Sequence, residues 1–134
     1  QGHIVNRKGR IEVAIERDRI HRKRMKATSA DKGRMAISLF EVEEYLEGAT
    51  LVKVKILTGR THQIRVHMAF TGHPLLGDTT YGGKRWQKRA RHFLHSSRLA
   101  FNHPITGARI ELQAPLPEYF QEAISELRSR AEAT

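Results

Sequence analysis

The chain has 134 residues, no cysteine and a net charge of +10, with 39% hydrophobic and 7% aromatic residues. That length suits one domain with a mainly aliphatic core. The lack of cysteine excludes disulfides and thiolate metal sites and fits a reducing compartment, with the cytoplasm as the default. No apolar run approaches the roughly 18 residues that cross a bilayer, and the N-terminus has no secretory character, so no membrane association is expected.

In chain order, GRIEVAI (9–15) alternates Ile11, Val13 and Ile15 with polar or small neighbours and predicts a half-buried strand. The basic stretch 17–26 interrupts the pattern and reads as a loop or irregular excursion. RMAISLFEVEEY (34–45) is strand-like with Met35, Ile37 and Leu39 on one face, although 40–47 also admits a helix. A turn at Glu47-Gly48 leads into TLVKVKIL (50–57), where Val52, Val54 and Ile56 give a core face and Lys53 and Lys55 a wet one.

Thr58-Gly59 ends that strand, and a short helix at 61–71 follows, with Thr61 as its expected cap, Gly72 as its stop and Pro74 preventing continuation. Ile64 and Met68 share one helical face. Arg65 lies at the edge of that apolar stripe, where a partly desolvated guanidinium needs an anionic partner. HPLLGDTTYGG (73–83) reads as a loop in which the Asp78 side chain serves a turn. Segments 93–101 and 108–114 read as strands joined by a turn at 102–107. A C-terminal packing helix at 117–131 places Phe120, Ile124, Leu127 and Ala131 at helical spacing, with Pro117 and Glu118 suited to its first turn. The fold class is α+β, with a mostly antiparallel or mixed sheet and two helices.

The charge is not spread evenly. RDRIHRKRMK (17–26) holds six basic residues and one acid, KRWQKRAR (84–91) five basic residues and none, and the remainder carries 13 of each sign. Clustered positive charge points to a polyanion. Arg22, Lys23, Arg24, Lys26, Lys84, Arg85, Lys88 and Arg89 are candidate phosphate contacts, and Trp86 either stacks on a base or anchors its loop. His62, His67 and His73 do not form a zinc pattern: His62 and His67 lie about 140° apart on a helix, and no H-E-x-x-H or cysteine is present. They read instead as cap and surface residues. No G-x-S-x-G, P-loop or G-x-G-x-x-G occurs.

LTGRTHQIRVHMAFTGHPLLGDTTYGG (57–83) resembles the third signature region of the RluA/RluD-type pseudouridine synthases, which isomerise uridine in ribosomal or transfer RNA. GRIEVAIERD (9–18), RKRMKAT (22–28), HFLHSSRLAFNHPITG (92–107) and ARIELQAPLP (108–117) continue the resemblance on both sides. It implies catalysis by an Asp of an H-R-L-D-type motif and a Tyr of a second motif, neither of which is present. Asp18 and the His21-Arg22 pair do not stand in for them. The chain accordingly reads as the C-terminal part of a catalytic domain, spanning 1–134, whose partners are RNA and the upstream part of the same domain. Such an enzyme uses no cofactor or metal, and a monomer is expected when complete.

The resemblance also makes Arg65 the residue that orients the catalytic Asp, with Arg60, His62 and Gln63 in its neighbourhood. Without that Asp, the segment around 59–72 is expected to be destabilised or rearranged, and the chain alone to be inactive. The alternative is a non-catalytic RNA-binding module, and a weaker one an interaction domain whose basic loops meet an acidic protein.

Overall fold

The computed structural model describes residues 1–84, 94, 98–102, 109–113 and 116–132. Its main sheet has three antiparallel strands in the order β1 (Lys8–Glu12), β4 (Ile37–Leu46), β5 (Ala49–Ile56). Between β1 and β4 the chain makes a hairpin of β2 (Ala14–Arg17) and β3 (Met25–Thr28). Helix α1 (Gln63–Phe70) follows β5, and a 3-10 turn covers Thr79–Tyr81. An antiparallel pair, β6 (Arg98–Asn102) and β7 (Arg109–Gln113), precedes α2 (Glu118–Glu132).

The single strand expected at 9–15 is two. Ile11 and Ile15 are both buried, but in different apolar clusters, and the chain turns between them at Val13, whose N–H donates to Ala36. Ala14 and Ile15 are buried consecutively, which a flat alternating strand does not allow. The basic stretch is an irregular loop only over 18–24; its end is β3, hidden in the sequence because Lys26 interrupts the apolar pattern.

Residues 40–47 are strand. Ile37 and Leu39 are only half-buried and Met35 is exposed, whereas Ala36, Ser38 and Val42 form the buried side. A bulge between Val42 and Glu44 shifts the register against β5. The turn falls at Glu47-Gly48 as expected, with Leu46 paired to Ala49 and Gly48 at φ +63°. Along β5, Val52 and Val54 are half-buried and Lys53 and Lys55 exposed, but Ile56 is exposed as well.

Helix α1 packs across the sheet and hairpin together. Met68 and the half-buried Ile64 join Ile4, Ile11 and Val42, while Val66 meets Ile15 and Ala36 on the other flank. Full burial of a side chain such as Val66 or Met68 contributes about 1.5–3 kcal/mol. The helix ends in a Schellman motif: Gly72, at φ +86°, donates to Ala69, and His73 donates to Met68. Ile124 and Leu127 of α2, with Phe120 beside them, close a third cluster against Leu46 and Ala49. The side chain of Ala131 and the turn expected at 102–107, apart from Asn102, lie outside the described residues.

Candidate active site

Arg65 has a carboxylate partner within the chain. Its Nε and Nη2 donate to Oδ2 and Oδ1 of Asp78, each at 2.9 Å, and its guanidinium lies 4.9 Å from the centre of the Tyr81 ring. Asp78 is 2% exposed and the Arg65 side chain 15%. The hydrogen bond to Asp78 raises the Arg65 pKa above its ordinary value, with burial opposing it. The expected turn role belongs to the Asp78 backbone, which donates to Leu75 and accepts from Tyr81 and Gly83. Gly83 comes so close there that an added Cβ would sit 2.2 Å from the Leu75 carbonyl oxygen.

This pair removes the reason for expecting a rearranged helix, because Asp78 meets the electrostatic demand of a half-buried Arg65. Nη1 of Arg65 makes no hydrogen bond to the described residues.

Beneath Arg65 the helix is fastened by a closed chain of polar contacts. His67, 0% exposed, places Nε2 2.9 Å from the Val13 carbonyl oxygen and Nδ1 2.8 Å from the Ser38 hydroxyl. A carbonyl only accepts, so Nε2 carries a proton, and with Gln63 donating to Ser38 Oγ the hydroxyl hydrogen is placed to go to Nδ1. Gln63 Nε2 donates to Ser38 Oγ and to the Ile37 carbonyl, while Gln63 Oε1 accepts from Thr58 Oγ1 and from the Arg60 N–H. Thr58 Oγ1 in turn accepts from the Ile37 N–H. His67 is therefore a core residue and not the surface residue expected.

Thr61 does not cap the helix; the N-cap is His62, with no side-chain cap bond. His62 takes the left-handed conformation at φ 54°, which is costly for a residue with a Cβ and is kept only where surroundings enforce it. Here Nδ1 sits 2.7 Å from the Tyr81 hydroxyl, and the two rings meet edge to face. Tyr81 also accepts the Met25 N–H at 2.9 Å. One tyrosine thus touches Arg65, His62 and the base of the 18–24 loop, at the start of β3. Arg60 points elsewhere, its Nε donating to the Met35 carbonyl. A cleft of about 260 Å³ opens beside it, lined by Ile15, Met25, Arg34, Gly59, Arg60 and Thr61.

The hairpin carries the first basic cluster. Asp18 Oδ1 accepts the N–H groups of Ile20 and His21, and Oδ2 takes Arg24 Nε at 3.2 Å. These bonds, the two backbone ones foremost, lower the Asp18 pKa to about 2. Arg24 and Lys26 are thus paired, with Asp18 and Glu16 respectively, whereas Arg22 and Lys23 are exposed with no ion pair among the described residues. In the second cluster Lys84 is exposed; Arg85, Trp86, Lys88 and Arg89 lie outside the described residues.

The sequence profile described as RNA pseudouridylate synthase matches residues 3–70. The chain belongs to this family. It is 42% identical over 127 residues to the "Uncharacterized RNA pseudouridine synthase YlyB" of Bacillus subtilis, covering 95% of this chain and 41% of that protein. It is 37% identical over 143 residues to the "Ribosomal large subunit pseudouridine synthase D" of Pseudomonas aeruginosa, covering 97% and 44%. Among solved structures, "Human RNA Pseudouridylate Synthase Domain Containing 1" superposes with a TM-score of 0.67 at 28% identity, over 96% of this chain and 62% of that one. The chain spans about two-fifths of the length of these curated relatives.

For a pseudouridine synthase chain, the residues that sequence reasoning left without a site role are Asp78 and Tyr81. Both stand in the stretch that carries the resemblance, but 13 and 16 residues beyond Arg65, and only the fold of the 73–83 loop returns them to it. Glycines at 77, 82 and 83 around a lone acid and a lone tyrosine were the available signal. His62, His67 and His73 go to three different partners: Tyr81, the Ser38–Val13 pair and the Gln1 carbonyl.

Proposed function

We infer that this chain is the arginine-bearing part of an RNA pseudouridine synthase catalytic domain, acting on uridine in ribosomal or transfer RNA. The isomerisation breaks the N1–C1′ bond, turns the base, joins C5 to C1′ and releases the C5 proton. It begins with an ionised, oriented carboxylate. The observation that carries the reading is the Arg65 guanidinium, held by Asp78 with its Nη1 unbonded among the described residues. Asp78 and the Tyr81 ring fix the guanidinium, while Nη1 remains available to a second carboxylate.

Asp78 is committed to Arg65 and Asp18 to its own loop, and an H-R-L-D-type motif does not occur within the 134 residues. In the family this chain resembles, the H-R-L-D-type motif lies upstream of the matching stretch, so in this reading the nucleophilic Asp is supplied from an N-terminal segment and the chain alone is inactive. Arg60, His62 and Gln63 shape the site indirectly, by fastening α1 and its approach. The basic clusters hold RNA phosphates. The name borne by the Pseudomonas relative favours ribosomal RNA among the targets.

Tritium release from RNA labelled at uridine C5 tests this, for the chain alone and for a form extended N-terminally by the H-R-L-D-type segment of a relative. Release only from the extended form, abolished by Arg65→Ala, is expected. Release from the short chain would put the nucleophile inside it. Full activity of the extended Arg65→Ala form would remove Arg65 from the mechanism. RNA binding with no release from either form would favour a non-catalytic RNA-binding module.

A further inference from the structure

Ile20 is 86% exposed, and it stands in the middle of the most basic stretch of the chain. Its neighbours Arg19, His21, Arg22 and Lys23 are all exposed, and none of Arg19, Arg22 and Lys23 has an ion pair among the described residues. The one acid of the loop, Asp18, is turned inward and consumed by the N–H groups of Ile20 and His21 and by Arg24. The loop is also braced across its base. Asp18 N–H donates to Arg24, Arg24 N–H to His21, and Arg17 Nη1 to the Arg22 carbonyl at 2.7 Å. The loop thus exposes one apolar side chain flanked along the chain by cations that have no ion pair among the described residues. Of these cations, Arg19 also lines a cleft with Glu16, Lys26, Asp31 and Lys32.

A large aliphatic group so exposed contributes nothing to the core, and the charge around it would repel a second copy of the same loop. Its surroundings fit a polyanion whose interior is apolar, and RNA has phosphates outside and stacked base faces within. We propose that Ile20 is a wedge: when Arg19, Arg22 and Lys23 engage RNA phosphates, its side chain enters between adjacent bases and unstacks them. Apolar side chains do this at kinks in duplexes, where the cost of unstacking is offset by the larger protein surface that the bent nucleic acid then covers. The loop's own base reaches the Arg65 site, through the Met25 N–H to Tyr81 and through the hydrogen bond from Arg24 Nη1 to the Thr80 carbonyl. Bases loosened by the tip are loosened close to where a uridine must leave its stack. The wedge rests on the RNA reading above, but not on catalysis.

Hairpin RNAs of about twenty nucleotides, substituted in turn with 2-aminopurine at each position, provide the test, because this base brightens when unstacked. The 134-residue chain at low salt is expected to brighten a few neighbouring positions severalfold. Ile20→Ser should abolish that brightening while leaving the salt dependence of binding unchanged, and Ile20→Leu should restore it. Ile20 lies outside every apolar cluster of the core, so the variants fold. Brightening that survives Ile20→Ser, or binding without brightening by the unsubstituted chain, would overturn the wedge alone. No binding to any of the RNAs would overturn the RNA reading and the wedge with it.

Discussion

Arg65 and Asp78 are joined by two hydrogen bonds, with one partner almost wholly buried and an aromatic ring against the guanidinium. Such a pair contributes little relative to an apolar replacement, yet removing one member strands the other. Asp78→Ala leaves a half-buried cation and Arg65→Ala a fully buried carboxylate. Each should lower stability by about 3 kcal/mol, with Arg65→Ala the more damaging because Asp78 is the more deeply buried partner. The double variant should cost far less than the two combined, since it leaves no unpaired charge. Urea unfolding of the four proteins checks this. Additive costs would mean that the two residues act independently and that Arg65 is held by Tyr81 and the helix alone.

At the scale of the element, α1 is a helix of eight residues, too short to persist by propensity, so its contacts decide whether it forms. Ser38 is the hinge of those contacts, donating to His67 and accepting from Gln63. Ser38→Ala should leave a buried imidazole nitrogen and a buried amide N–H without partners and cost about 2–3 kcal/mol. A urea midpoint that does not move would show that the chain of hydrogen bonds is incidental. The same residue shows what the sequence could and could not tell. The Glu47-Gly48 turn, the Gly72 stop and the apolar stripe of α2 follow from local rules and were legible. The buried side of β4 was not, because Ser38 reads as polar until His67 and Gln63 arrive from 29 and 25 residues away. The Arg65–Asp78 pair was hidden for a related reason: the sequence indicated that Arg65 needed an anion, but its partner is brought up by a loop, with no helical or strand period to reveal it.

Over the whole molecule, the net charge matters through where it is left unneutralised. RNA binding that releases condensed counterions weakens with salt in proportion to the phosphates contacted, by a log–log slope of about 0.7 per phosphate for single strands. A cation already paired with a carboxylate contributes less to that release, because binding must first break its pair. In the first basic cluster Arg24 and Lys26 are paired and Arg22 and Lys23 are not. Counting basic residues alone would weight all four equally; the fold does not. Arg22→Gln with Lys23→Gln should reduce the slope by about 1–1.5, whereas Lys26→Gln should change it little, since it frees Glu16 as it removes a cation. Fluorescence anisotropy titrations of one RNA across a salt series measure both. Equal reductions per residue removed would mean that the Lys26–Glu16 pair opens on binding and that the entire hairpin flank, not its tip alone, lies on the RNA.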